Sequence, residues 1–136
     1  MQEQPKAPTF KGPAEWFTGD VYVDMVVTNP DARFSVGAVH FTPGARTAWH
    51  SHAAGQMLHC TEGLGLVVTA EEVIVLRPGM TVWTPPDQRH WHGAAPSSFM
   101  AHLAMSGVVD LAEGQEAVSW QEQVSDTDYT RAAEEI

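Results

Sequence analysis

One cysteine in 136 residues, Cys60, has no second cysteine to pair with, so no internal disulfide framework holds this chain together. A lone thiol fits a reducing compartment, and a cytoplasmic location is the expectation. Basic residues are scarce as well. Seven Lys and Arg stand against 17 Asp and Glu, a formal net charge of −10. So acidic a surface repels nucleic-acid phosphates and anionic lipid headgroups, which removes both as partners. Much of the acid falls after Asp110 and reads as solvated surface. No apolar run reaches the ~20 residues of a membrane-spanning helix, and the opening MQEQPKAPTF has no apolar signal core. There is no internal repeat and no low-complexity tract. Hydrophobic content of 43% and charged content of 18% are ordinary for one globular domain with a core of its own.

What the chain does have is many short β-type runs separated by Gly, Pro, Asp and Asn. Such runs are expected over residues 21–28, 33–42, 46–52, 56–62, 64–70, 72–77, 81–84, 90–93 and 98–106. This punctuation points to an all-β barrel or sandwich. Residues 1–11, polar and with two prolines, are expected to form a loose arm or a strand exchanged with a partner subunit, leaving 12–136 as the single domain. In the segment 12–19, Trp16 and Phe17 are placed to cover one end of the barrel. The tryptophans Trp49, Trp83 and Trp91 are expected to pack the second sheet layer. Ser125-Asp126-Thr127-Asp128 ahead of YTRAAEEI signals a capped C-terminal helix.

Two stretches carry the chemistry. In GARTAWHSHAAGQMLHCTEG, His50 and His52 lie two apart, so an extended backbone turns both to one face, and a bend through Ala53–Gly55 returns Gln56 beside them. In GMTVWTPPDQRHWHG, His90 and His92 repeat the two-residue spacing behind Pro85-Pro86. Three imidazoles and an oxygen suit one divalent metal, with Mn²⁺ or Fe²⁺ favoured over Cu by the hard oxygen, and Ni or Zn as alternatives. For Gln56 the other reading is a side chain bonded to nearby backbone. His92 and His102 have the parity to face the same interior without ligating, where either suits general acid–base work or a structural hydrogen bond. His40 and His59 have the opposite parity and are expected to face outward.

Written as spacings, the stretches read G-x5-H-x-H-x3-Q-x6-G and G-x5-P-x-D-x2-H-x3-A. They resemble the two motifs of the cupin superfamily, G-x5-H-x-H-x3,4-E-x6-G and G-x5-P-x-G-x2-H-x3-N. The resemblance implies a double-sheet antiparallel β-barrel with a metal inside. His50, His52 and His90 match the family's histidine ligands, Gln56 stands where glutamate is usual, and Asp87 and Ala94 replace a glycine and an asparagine. Losing the glutamate removes one negative charge from the shell, which makes a bound ion a stronger Lewis acid.

The segments FTPGARTAWHSH, HWHGAAPSSFMAHLAM and AVSWQEQVSDTDY, with GPAEWFTG before them, are similar to the bacterial small cupins that include manganese-dependent hydroxynitrile lyases. That likeness implies a His50–His52–Gln56–His90 shell, His102 acting on the substrate or cyanide, and His92 in the same pocket. Arg46 and Thr47 fall in the matching block, and Val39, Leu58 and Met105 are the expected aliphatic wall. The implied reaction is reversible cleavage of a cyanohydrin to aldehyde and HCN. A non-haem metal dioxygenase, an isomerase or cyclase, and a non-catalytic small-molecule binder are the alternatives on this fold. A homo-oligomer, dimer or tetramer, is expected.

Overall fold

A computed structural model describes residues 1–136. In chain order the elements are β1 (Phe10–Lys11), β2 (Phe17–Thr18), β3 (Val21–Met25), β4 (Phe34–Phe41), β5 (Arg46–Thr47), β6 (His50–His52) and β7 (Gln56–Gly63). There follow β8 (Gly65–Val68), β9 (Val73–Leu76), β10 (Thr81–Thr84), β11 (Trp91–Ala94), β12 (Met100–Gly107), β13 (Val118–Trp120) and α1 (Asp126–Ala133). Two antiparallel sheets result, ordered β1-β3-β4-β12-β7-β10 and β2-β5-β11-β8-β9, with a separate β13-β6 pair. The expected all-β double-sheet architecture with one short C-terminal helix is what the chain forms.

The alternation of side chains explains the layers. On β4 and β12, Val39, Phe41, Met100 and His102 turn inward, and Val23, Leu58, Cys60, Val67 and Leu76 join them to fill the space between the sheets. A second cluster sits outside the smaller sheet, where Val124, Tyr129 and Ala132 pack on Trp49, Leu66, Val68 and Trp91. The helix starts where Ser125 accepts a hydrogen bond from the Asp128 N–H. Arg46 then fastens it. Its buried guanidinium donates to Val124 O at 3.0 Å and to Asp126 Oδ1 at 2.6 Å, and lies 4.5 Å from the centre of the Tyr129 ring. Tyr129 in turn donates its hydroxyl to Ala94 O at 2.8 Å.

Three expectations need correction. Trp83 is 52% exposed on the outer side of β10, so only Trp49 and Trp91 serve the second layer. The run over 46–52 is broken at Ala48-Trp49: β5 joins the smaller sheet, while β6 leaves it to pair with β13. That β13 strand was not expected at all. His40 and His59 do face outward, beside Asp24 and Thr81 respectively.

Two turn positions account for motif spacing. At Gly63 (φ +75°) an added Cβ would fall 1.9 Å from Phe99 O, so only glycine fits. Asp87, in the place of the second motif's glycine, keeps the left-handed conformation that glycine would have, φ +63°. Its N–H donates to His52 O at 2.9 Å, tying the two metal-motif stretches together. Aspartate tolerates this region better than most residues but still pays a steric penalty. Asp87→Gly is therefore expected to raise the melting temperature and Asp87→Val to lower stability by about 1–2 kcal/mol. Thermal melts of the three proteins check this; indistinguishable melting temperatures would contradict it.

Candidate metal centre and cavity

His50 and His90 come from different motifs and are locked to each other through the backbone. Each N–H donates to the other's carbonyl at 2.9 Å. The same residues fix their rings through Nδ1, which donates to Ala48 O in His50 and to Gln88 O in His90, both at 2.9 Å. That choice of tautomer leaves both Nε2 atoms as bare acceptors. His52, two residues along β6, adds a third ring, and one ring nitrogen from each of the three lies within 4.8 Å of the others.

The polar bookkeeping of this cluster fits a cation. His52 Nε2 is buried without a partner. Gln56 Oε1 stands 3.1 Å from His90 Nε2, acceptor facing acceptor, which a shared cation or a turned amide reconciles. All three rings are held neutral, as ligands must be. Burial pushes His50 well below the ordinary histidine range, His52 down to about 4, and His90 down as well, with the charge of His90 adding to the effect on the first two.

His50, His52 and Gln56 open onto a cavity of about 400 Å³ between the sheets. Its wall is mostly apolar, with Val23, Val39 and Ala104 from the larger sheet and Val108, Val109 and Leu111 from the segment after β12. Thr47, Gln56, His50, His52 and His92 supply the polar part. Of the two remaining candidate histidines, His92 lines the cavity and His102 does not. His102 is sealed behind it, its Nε2 3.0 Å from His92 Nδ1 and its ring against Phe41. Burial lowers the pKa of His102 to about 3 and that of His92 well below normal, so both are neutral bases. His92 Nε2 and His102 Nδ1 have no protein partner.

The other expected pocket residues divide. Val39 and Thr47 line the cavity, and Thr47 Oγ1 also accepts the His92 N–H at 3.2 Å. Arg46 does not, because β5 turns its side chain outward to the helix. Leu58 is fully buried in the core between the sheets. Met105 lies on the outer side of β12, one residue out of phase with the inward Ala104 and Ser106.

The residue that sequence reasoning missed is Trp120. On β13 it pairs with His50, lies 4.6 Å from that ring, and stacks its indole on Trp16 at 5.1 Å and 6°. Arg89 braces this strand from the His90 side, through Gln121 Oε1 at 2.6 Å and Glu122.

Comparison with known proteins agrees with this geometry. Residues 37–107 match the Cupin domain family. The chain is 46% identical over 123 residues to the (R)-mandelonitrile lyase of Granulicella tundricola, a match covering 89% of this chain and 91% of that one. It is also similar to a cupin-like protein from Thermotoga maritima of known crystal structure, with 38% identity, a TM-score of 0.83, and 91% and 92% of the two chains covered. A polyketide cyclase from Streptomyces resistomycificus shares the fold, at 18% identity, a TM-score of 0.63, and 80% and 75% coverage.

The buried imidazoles set an acid limit on the metal-free protein. The unfolded chain takes up protons near pH 6.5, while the folded chain refuses them until well below that. Stability is therefore full above about pH 6.5 and falls as the pH drops, by up to about 1.4 kcal/mol per pH unit for each fully buried histidine. Chemical denaturation of metal-stripped protein at pH 7.5 and pH 5 is expected to show a marked loss at pH 5. Equal stability would mean that the rings are hydrated.

Proposed function

We propose that this chain, which belongs to the cupin family, is a metal-dependent lyase that cleaves cyanohydrins reversibly to an aldehyde and hydrogen cyanide. The observation carrying this reading is the convergence of three imidazoles and the Gln56 amide beside an apolar cavity that His92 also lines. The 46% identical relative, named (R)-mandelonitrile lyase, supports the reaction class. In this reading His50, His52, Gln56 and His90 hold one divalent metal, Mn²⁺ foremost, in a domain spanning 12–136, and the end of the arm of 1–11 joins the larger sheet of that domain as β1. Bound there, the ion would act as a Lewis acid toward negative charge on the substrate oxygen. Three neutral rings and a neutral amide leave its charge undiminished.

The proton is the work of the histidine pair. The two rings meet through His92 Nδ1 and His102 Nε2, and in this reading His92 donates that N–H, so that its Nε2 is the free base at the cavity wall. His92 Nε2 takes the cyanohydrin hydroxyl proton as the C–CN bond breaks and its electron pair leaves with cyanide. His92 then returns that proton to cyanide, giving HCN and the aldehyde. His102 accepts throughout, which orients His92 and favours its charged form while it holds the proton. The direct contact with substrate thus moves from His102 to His92, and His102 becomes a positioning residue. The apolar wall binds the substrate's side chain and excludes water from the bond being broken.

His92→Ala is expected to keep its metal and slow cyanohydrin cleavage by roughly 10²–10⁴-fold. His102→Ala is expected to slow it less and His102→Gln, whose amide oxygen can accept from His92, less still. Full turnover in His92→Ala at full metal content would remove the pair from the mechanism.

Replacing Gln56 by Glu adds a negative charge beside the site. Metal retention is expected to be equal or tighter and the cleavage rate lower. Elemental analysis and assay of the metal-loaded protein without oxygen test this together with the reaction class. A rate that requires O₂ would assign the site to dioxygenase chemistry instead.

A further inference from the structure

Four rings crowd around His50, and one of them has no part in the proposed chemistry. His52, His90 and His92 belong to the site, their ring centres 5.1, 4.4 and 5.2 Å from that of His50. The fourth is Trp120, 4.6 Å away and tilted by 32°, closer to stacked than to edge-on. It comes from the far end of the chain, and its place is fixed by backbone and side chain alike. Its backbone pairs with that of His50. The ladder continues where the Gln121 N–H donates to Trp49 O at 2.8 Å and the Trp49 N–H donates to Glu122 O at 3.0 Å. Its indole stacks on Trp16, 5.1 Å between centres at 6°, with Phe17 tilted against it at 6.1 Å. Trp120 also lines the cavity.

We propose that Trp120 is a positioning residue of the metal centre: its indole face holds the His50 imidazole in the orientation that binds the ion and favours that imidazole once it is metal-bound. The proposal rests on the metal-binding reading above. Two physical effects carry it. The first is orientation. The Nδ1–H bond to Ala48 O decides which edge of the His50 ring faces the site, but one hydrogen bond leaves the ring free to rock about its own direction. A second ring packed on its face, itself braced by Trp16, stops the rocking. The second effect is electrostatic. An imidazole that gives its Nε2 lone pair to a cation becomes more positive, and the face of an indole is the negative side of its quadrupole. Trp120 therefore favours the loaded site over the empty one without bringing formal charge to it. A carboxylate in the same place would also favour the cation, but would weaken its pull on a substrate oxygen. The indole thus complements Gln56, the neutral group that stands where the family's motif has a glutamate.

The test is calorimetric titration of the chelator-stripped full chain with Mn²⁺, on the parent, Trp120→Phe and Trp120→Leu, with tryptophan fluorescence followed on the same samples. Phenylalanine keeps an aromatic face on His50, whereas leucine fills the space without one. Trp120→Leu is expected to bind Mn²⁺ about 10-fold more weakly than the parent, and Trp120→Phe to stay within about threefold of it. In the parent the paramagnetic ion is expected to quench part of the fluorescence, and that part is lost in Trp120→Phe. Thermal melts of the metal-free proteins report folding. Should Trp120→Leu not fold, Trp16→Leu removes the brace and leaves Trp120 in place, and is expected to weaken Mn²⁺ binding by about threefold. A Trp120 that serves the fold alone would lower the melting temperature of both variants and leave the Kd unchanged. That result, equal Kd values for folded Trp120→Phe and Trp120→Leu, or an unchanged Kd in Trp16→Leu where Trp120→Leu does not fold, would overturn this proposal alone. A parent that binds no Mn²⁺ would overturn the reading of the metal centre and this proposal with it.

Discussion

Imidazole rings packed where water is excluded cannot carry protons, and the site follows from that constraint. His50, His90, His92 and His102 are almost wholly buried and His52 is half-buried. Burial is the main cause that holds them neutral, and the nearness of other imidazoles adds to it. A neutral imidazole has one N–H and one lone pair, so placing the N–H decides where the lone pair points. The backbone makes that decision for His50 and His90 through Ala48 O and Gln88 O, while His92 and His102 share one proton between His92 Nδ1 and His102 Nε2. What is left over is a set of bare nitrogens facing one small volume. That is an expensive arrangement unless something positive occupies it or a proton visits it, and the proposed chemistry supplies both.

The rest of the fold keeps those rings in place. The reciprocal His50–His90 backbone pair and the Asp87 N–H to His52 O bond join the motif stretches directly. Arg89 ties the His90 side to the β13 segment, which lays Trp120 over His50. Arg46 does the equivalent work at the helix. Both arginines are thus spent on scaffold, although Arg46 sits only four residues from His50. The cavity keeps its apolar wall free of competing charge, which suits a small, weakly polar substrate.

The convergence of the three motif histidines was legible because its geometry is local. Two-residue spacing on a strand and glycines at fixed offsets decide where His50, His52 and His90 go before any distant contact forms, and Gly63 and Asp87 show why those offsets hold. The cavity wall was less legible. Leu58 and Met105 needed the depth and phase of two paired strands, and Arg46 needed to know that a helix 80 residues later would dock beside it. Trp120 depends on a three-residue strand that pairs only with β6, too short for periodicity to announce. The order of His92 and His102 depends on which ring lies nearer the cavity, a matter of packing that parity alone leaves open.

The central claim is that four neutral donors from the two motifs share one ion. Anomalous X-ray diffraction from crystals of manganese-loaded protein tests it most directly. The account predicts a single strong peak, roughly 2.1 Å from the Nε2 atoms of His50, His52 and His90 and from Gln56 Oε1. A peak on the His92–His102 pair, one whose coordination excludes Gln56, or no peak in a fully loaded sample would contradict it.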